Sequence, residues 1–204
     1  MTQEEITAFT NGLRENAFLR KLPVMRMETS RVLAEVAADL NPAETLEIGT
    51  CVGVSGLTVL NACGTRLTTV EISEERWLEA KKNFEKCGFS SRVNAYLGDC
   101  REIIPLMKDN GYDLAVFDCQ KSAYGIMFDF VMPMLRRGGV AFFDDTAYHG
   151  MIDGDYSEHK QRTIISSMRA FLARLSKDKR LKITTYGIGD GITVAKKLVD
   201  DEKS

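Results

Sequence analysis

Apolar positions along this chain follow two alternating rhythms. The stretches TQEEITAFTNGLRENAFLR (2–20) and METSRVLAEVAADL (27–40) carry them at helical spacing, and NPAE then breaks the second. TLEIG (45–49) is a short apolar run that fits a buried strand, and SGLTVLNAC (55–63) returns to helix, with Gly64 at its end. RLTTVEI (66–72) reads as a strand. SEERWLEAKKNFEKCG (73–88) reads as a helix, with Ser73 as its cap, acids in its first turn and Gly88 past its end. The same alternation continues through strand RVNAYLG, short helix CREIIPLMKD and strand YDLAVFD. It ends with helix SAYGIMFDFVMPMLRRGG, stopped at its glycine pair, strand VAFFDD and helix KQRTIISSMRAFLARLSKD. The last stretch, LKITTYGIGDGITVAKKL (181–198), reads as a hairpin around an Asp-Gly turn.

Strands alternating with helices predict parallel βαβ units, and runs such as LAVF and VAFF suit strands covered on both faces. The hairpin adds an antiparallel edge. With 204 residues and no repeat, linker or low-complexity segment, the expectation is one α/β domain over 1–204, its first 40 residues being N-terminal helices.

Composition mainly excludes. Hydrophobic residues at 44% and charged ones at 27% are ordinary globular values, and a net charge of −2 argues against bulk electrostatic binding to nucleic acid. No apolar run approaches the roughly 20 residues that cross a bilayer, and the acidic N-terminus does not read as a signal peptide. Five cysteines without a CxxC pair fit reduced thiols in a cytoplasmic protein.

The candidate chemistry lies at the strand ends, where open α/β sheets bind ligands. They read Glu47-Ile48-Gly49, Glu71-Ile72, Gly98-Asp99 and Asp118. The loop GTCVG after the first strand is shaped for close approach to its backbone, but a glycine loop alone is equally a tight turn. Glu71 is placed to accept hydrogen bonds from ribose hydroxyls, which suits NAD and S-adenosylmethionine alike. Glu47 ahead of the first glycine opposes a pyrophosphate and suits the ammonium of a methionine moiety. S-adenosylmethionine is therefore the expected ligand.

LEIGTCVGVSGL, TTVEIS, YDLAVFDCQKSAY, PMLRRGGVAFFDD and IGDGITVAKK fall in the order and spacing of the cation-dependent O-methyltransferases. From Pro23 to Lys197 the chain resembles that family, which includes catechol and caffeoyl-CoA O-methyltransferases and a bacterial branch of tRNA 5-hydroxyuridine methyltransferases. The resemblance implies a Rossmann-like class I methyltransferase fold, with a mostly parallel seven-stranded sheet ending in an antiparallel hairpin. It implies that Met25 packs beside the methionine part of the cofactor, that Glu47, Gly49 and Ser55 surround its amino-acid end, and that Glu71 holds the ribose. Ile72 would lie against the adenine, with Asp99 and Cys100 at its edge, so that Cys51, Cys100 and Cys119 ring one ligand. Asp118, Asp144 and Asp145 match the ligands of a divalent cation, Mg²⁺ or Mn²⁺. Lys121 matches a catalytic lysine beside the reacting oxygen, its pKa lowered by burial and the metal, and Asp118 joins it in the catalytic group and at the cofactor.

Two departures stand out. The usual metal pair is Asp-Asn, whereas this chain has Asp144-Asp145. The chain also lacks the longer segments that shape the acceptor pocket of the plant enzymes, so an open site would admit a large acceptor or need a partner subunit, as in a homodimer. The implied function is metal-assisted methylation of a hydroxyl on a small aromatic molecule, with 5-hydroxyuridine in tRNA as the alternative acceptor. A non-catalytic S-adenosylmethionine-binding module and an NAD(P)-dependent oxidoreductase are the alternatives from other classes. His149 follows the metal pair but is more often structural in such a loop, the basic run 174–182 reads as a solvated helix end, Asp190 as a turn residue and Trp77 as a packing residue.

Overall fold

The structure is a computed structural model that describes residues 1–107, 111–147 and 159–199, the last stretch without the side chains of 159–161. Seven strands form one sheet in the order β3-β2-β1-β4-β5-β7-β6. They are β1 (Glu44–Ile48), β2 (Arg66–Glu71), β3 (Val93–Leu97), β4 (Tyr112–Phe117), β5 (Leu135–Phe143), β6 (Leu181–Tyr186) and β7 (Ile192–Lys197). The first five pair in parallel, and β7 runs antiparallel to both β5 and β6. The helices are α1 (Gln3–Leu19), α2 (Met27–Leu40), α3 (Val54–Ala62), α4 (Glu74–Lys86), α5 (Cys100–Ile103), α6 (Tyr124–Met134) and α7 (His159–Lys177).

The period of two along the central strands divides the core. Leu114 and Val116 of β4, with Val140 and Phe142 of β5, pack on Val32, Leu33 and Ala37 of α2 and Val59 of α3. The alternate residues Ala115, Phe117, Ala141 and Phe143 pack on α6 and α7. There Phe117 and Phe143 have ring centroids 4.4 Å apart, and Tyr124, Phe128 and Phe171 contact them edge-on or tilted. Burying these aromatics on one face locks the tips of β4 and β5 side by side. Glu47 shares its face of β1 with Thr45, whereas Leu46 and Ile48 enter the aromatic cluster.

One boundary departs from the pattern. The helix over 122–139 ends at Met134, and Leu135 already pairs with Tyr112 in β5, before the glycine pair. Pro133 near the helix end supplies no amide hydrogen, so the helical ladder stops there. The buried Lys197 ammonium donates to the carbonyls of Met132 (3.0 Å) and Leu135 (2.9 Å), satisfying the acceptors the broken helix leaves.

Candidate active site

A cleft of about 590 Å³ opens across the carboxyl ends of β1 to β5, within the size range of small-molecule sites. Gly49, Glu71, Gly98, Asp118 and Asp144 come to it from five successive strand ends, and Phe18 near the end of α1, with Leu22, Pro23 and Val24 of the segment joining α1 to α2, supplies an apolar wall. Cys51, Ile72, Asp99, Cys100, Lys121 and Asp145 also line it.

The residues expected at the cofactor's methionine end divide. Gly49 lines the cleft, whereas Met25, Glu47 and Ser55 are 1%, 1% and 3% exposed and lie behind its wall. Met25 belongs to the core cluster of α2, and its carbonyl accepts from the buried Arg14 Nε at 3.0 Å. The glycine turn answers first to the protein itself. Gly49 has φ +97°, and a Cβ there would stand 2.2 Å from the Asp118 carbonyl oxygen, so β1 and β4 close together only because residue 49 has no side chain.

Glu47 is the unusual member. Thr69 donates to its Oε2 at 2.5 Å, while Oε1 has no hydrogen-bond partner. Burial pushes its pKa up to about 7, against the Ser55 and Thr69 hydroxyls, and the charges of Asp118 and Glu71 push the same way. An orphaned acceptor on a buried acid is a place for a cationic donor. Glu71 is the opposite case. Its Oε2 accepts from the Cys51 amide at 2.8 Å, and its Oε1 accepts from the Ser73 amide at 2.9 Å and lies 2.9 Å from Arg76 Nη2. Asp99 is hydrogen-bonded by the Arg101 side chain and amide, which hold its pKa down at about 2.

At the other end Asp118 and Asp145 flank one ammonium, and the charge of Asp144 also acts on it. Lys121 Nζ lies 3.6 Å from Asp118 Oδ1 and 3.8 Å from Asp145 Oδ2, and donates to the Tyr124 hydroxyl at 2.9 Å. Burial pushes the Asp144 pKa up to about 7, with Asp118 adding to it, and burial likewise raises Asp118. For Lys121 burial acts downward, but the three carboxylates outweigh it and the pKa is raised. Burial acts in the expected direction, and without a bound metal the surrounding carboxylates hold Lys121 as a cation. Asp145 has φ +53°, the left-handed region that a non-glycine rarely adopts. Its amide donates to Asp144 Oδ1 at 2.7 Å.

Sequence reasoning missed two contributors. Tyr124 is fully buried, and its hydroxyl lies 2.7 Å from the Phe117 carbonyl and 2.9 Å from that of Asp144, tying both acidic strand tips to Lys121. Its position three residues after Lys121, at a helix start, was the available signal. Asp190, read as a turn residue, lines the cleft and pairs with Arg26 at 2.8 Å. Gly191 beside it has φ +83°, and its carbonyl accepts from the Thr146 amide at 2.9 Å, so the hairpin turn supports the Asp144-Asp145 segment.

His149 lies outside the described residues. Within the basic run, Arg174 pairs with Asp129 and Arg180 with Asp178, and Trp77 Nε1 donates to the Ala95 carbonyl at 3.1 Å.

Among the described residues, no three His, Cys, Asp or Glu side chains form a ready-made metal shell. The donor set is nevertheless all oxygen and carries three carboxylates against the Lys121 ammonium, a composition that fits a hard divalent cation. Also among the described residues, no helix is long and apolar enough to cross a membrane.

The family model for O-methyltransferases matches residues 4–198. The chain therefore belongs to the O-methyltransferase family, a class of enzymes that take the methyl group from S-adenosylmethionine. Over 202 residues it is 26% identical to "Probable caffeoyl-CoA O-methyltransferase 1" of Dictyostelium discoideum, covering 96% of this chain and 85% of that protein. Over 207 residues it is 26% identical to tricin synthase 2 of Oryza sativa subsp. japonica, covering 91% and 71%. The O-methyltransferase TomG of Streptomyces achromogenes, solved in complex with SAM, superposes with a TM-score of 0.82 at 21% identity, covering 93% of this chain and 89% of TomG. The expected class I methyltransferase fold, with its closing antiparallel strands, is thus borne out.

Proposed function

We propose that the cleft binds S-adenosylmethionine at its Glu71 end and methylates a hydroxyl of a small aromatic acceptor at its Lys121 end, with a divalent cation held by Asp118, Asp144 and Asp145. The observation that carries this reading is that one cleft joins an acid held by backbone amides, suited to a ribose, to a lysine paired with Asp118 and Asp145 and acted on by Asp144.

Each residue then has a task. Glu71 Oε2, which accepts one amide, retains a lone pair for a ribose hydroxyl, Ile72 offers an apolar surface to the adenine, and Asp99 and Cys100 sit at its edge. Glu47 Oε1 takes the amino group from behind the wall, with Ser55 beside it and Gly49 bringing the backbone close, while Met25 backs that wall from the core. S-adenosylmethionine supplies a methyl on a sulfonium, an electrophile ready for in-line displacement. Asp118, Asp144 and Asp145 would hold the cation, which would supply Lewis acidity to lower the pKa of the acceptor hydroxyl. Lys121 Nζ, as an ammonium, would stabilise the acceptor oxygen as its proton passes to solvent water, and Tyr124 holds that ammonium in place. Phe18, Leu22 and Pro23 keep water from the cofactor side.

The test is incubation with methyl-labelled S-adenosylmethionine and Mg²⁺ against a pool of small catechols and phenols and, separately, undermodified tRNA, each with and without a chelator. Label in the phenol pool that disappears with chelator is the expected result. Label in tRNA alone would move the acceptor. Label in neither, from a protein that binds the cofactor, would leave a binding module.

A further inference from the structure

Two thiols meet in the cleft with no part in moving the methyl group or the acceptor's proton. Cys100 opens α5 after β3, and Cys119 follows the tip of β4, with β2 and β1 lying between those strands in the sheet. The turn after Cys100 carries Ile104 into the core cluster of Phe117 and Tyr124, and both cysteines pack against that same cluster. Their side chains interact directly, and both face the cleft half-buried.

We infer that Cys100 and Cys119 are a reversible redox pair whose disulfide closes the adenine side of the cleft and lowers affinity for the cofactor. The effect on affinity rests on the proposed reading of the cleft, while the disulfide itself does not.

The chemistry balances with a peroxide as oxidant. The Cys100 thiolate attacks one peroxide oxygen, the O–O bond breaks, and the departing hydroxide leaves as water after taking a proton. The Cys119 sulfur then attacks the Cys100 sulfenic acid, the S–O bond breaks, and a second water leaves with the Cys119 proton. The two sulfurs lose two electrons and the peroxide gains two. Cys51, the other cleft thiol, is buried and pushed up to about 11, so it remains a thiol. Cys63 and Cys87 lie away from the cleft lining. A disulfide holds its sulfurs about 2.05 Å apart, far closer than thiols in contact, so forming it draws the two loops together where the adenine would lie.

The experiment treats the full-length protein with hydrogen peroxide and reads the intact mass, the non-reduced peptide map and calorimetric titration with S-adenosylhomocysteine. The expected result is loss of two hydrogens, one peptide cross-linking Cys100 to Cys119, and at least a tenfold weaker affinity that a thiol reductant restores. Saturating S-adenosylhomocysteine should slow the oxidation. Cys119→Ser should form no cross-link and leave Cys100 as a sulfenic acid that dimedone traps. Cross-linking of other thiols, or no cross-link in protein that binds S-adenosylhomocysteine, would overturn the inference. So would a Cys100–Cys119 cross-link with unchanged affinity. Reduced protein that fails to bind S-adenosylhomocysteine would overturn the cofactor reading and the control of affinity with it, while the cross-link still stands or falls on the mass.

Discussion

The two ends of the cleft hold their acids in opposite ways. Glu71 receives two backbone amides and an arginine, so its charge is met by groups that the turn after β1 and the start of α4 present anyway. Asp118, Asp144 and Asp145 instead face one another around a single lysine ammonium, and burial raises both Asp118 and Asp144. One end is a finished mould whose shape precedes its ligand. The other stores repulsion that the proposed cation would relieve, because like charges this close ionise together only at a cost. Shape recognition and charge chemistry are thus separated along one cleft, held together by Tyr124 and the close contact of Gly49 with Asp118.

The sharpest way to test the charged end is to remove its cation. Lys121→Ala should lower turnover by about 10²-fold or more, with affinity for S-adenosylhomocysteine nearly intact, since the lysine acts on the acceptor and not on the mould. Turnover measured beside a binding isotherm decides this. Normal turnover would mean that Lys121 serves only to balance charge.

Attacking the mould should do the reverse. If Glu71 holds the ribose as proposed, Glu71→Ala should weaken S-adenosylhomocysteine binding by roughly 1.5–3 kcal/mol, about one to two decades. The variant also leaves the Cys51 and Ser73 amides unbonded, so its Tm should fall. Unchanged affinity by calorimetry, in a protein still folded, would take Glu71 out of the site.

The order of elements, the parallel sheet and its hairpin edge were legible because each rests on local pattern: period two in LAVF and VAFF, caps at Ser73, a Gly turn at Asp190-Gly191. The acids at the strand tips were legible for the same reason, since strand ends point at one crevice in this architecture. What local pattern could not carry was contact across the sheet. The meeting of Gly49 with Asp118, of Cys100 with Cys119, of Asp190 with Arg26 and of Tyr124 with two strand tips joins segments far apart in the chain. The sign of the Lys121 shift belongs there too, because it depends on how many carboxylates gather in space, not on the neighbours in QKSAY.

Glu47 is where the comparison of the two ends can be broken, because it lies at the shaped end yet carries a burden like that of the charged end. Burial lifts its pKa from the ordinary 4.5 to about 7, and Oε1 has no partner. A folded value above the unfolded one means that the empty folded protein binds a proton between those two values. Its stability therefore falls as pH rises from about 4.5 to about 7, by up to about 3 kcal/mol from this group, and levels off above. Binding runs the other way: an ammonium prefers the ionised acid, so affinity for S-adenosylhomocysteine should rise over the same window. Taking about 7 as the midpoint, the ionised fraction grows about eightfold from pH 6 to pH 7.5, and affinity should follow. Glu47→Gln, neutral throughout, should bind more weakly at pH 7.5 and lose most of both slopes; Asp144 keeps a residual stability slope of the same sign. Calorimetric titrations and thermal melts at the two pH values, on both proteins, decide it. Equal pH dependence of binding in the two would show that Glu47 stays protonated behind the wall and that the amino group is held elsewhere.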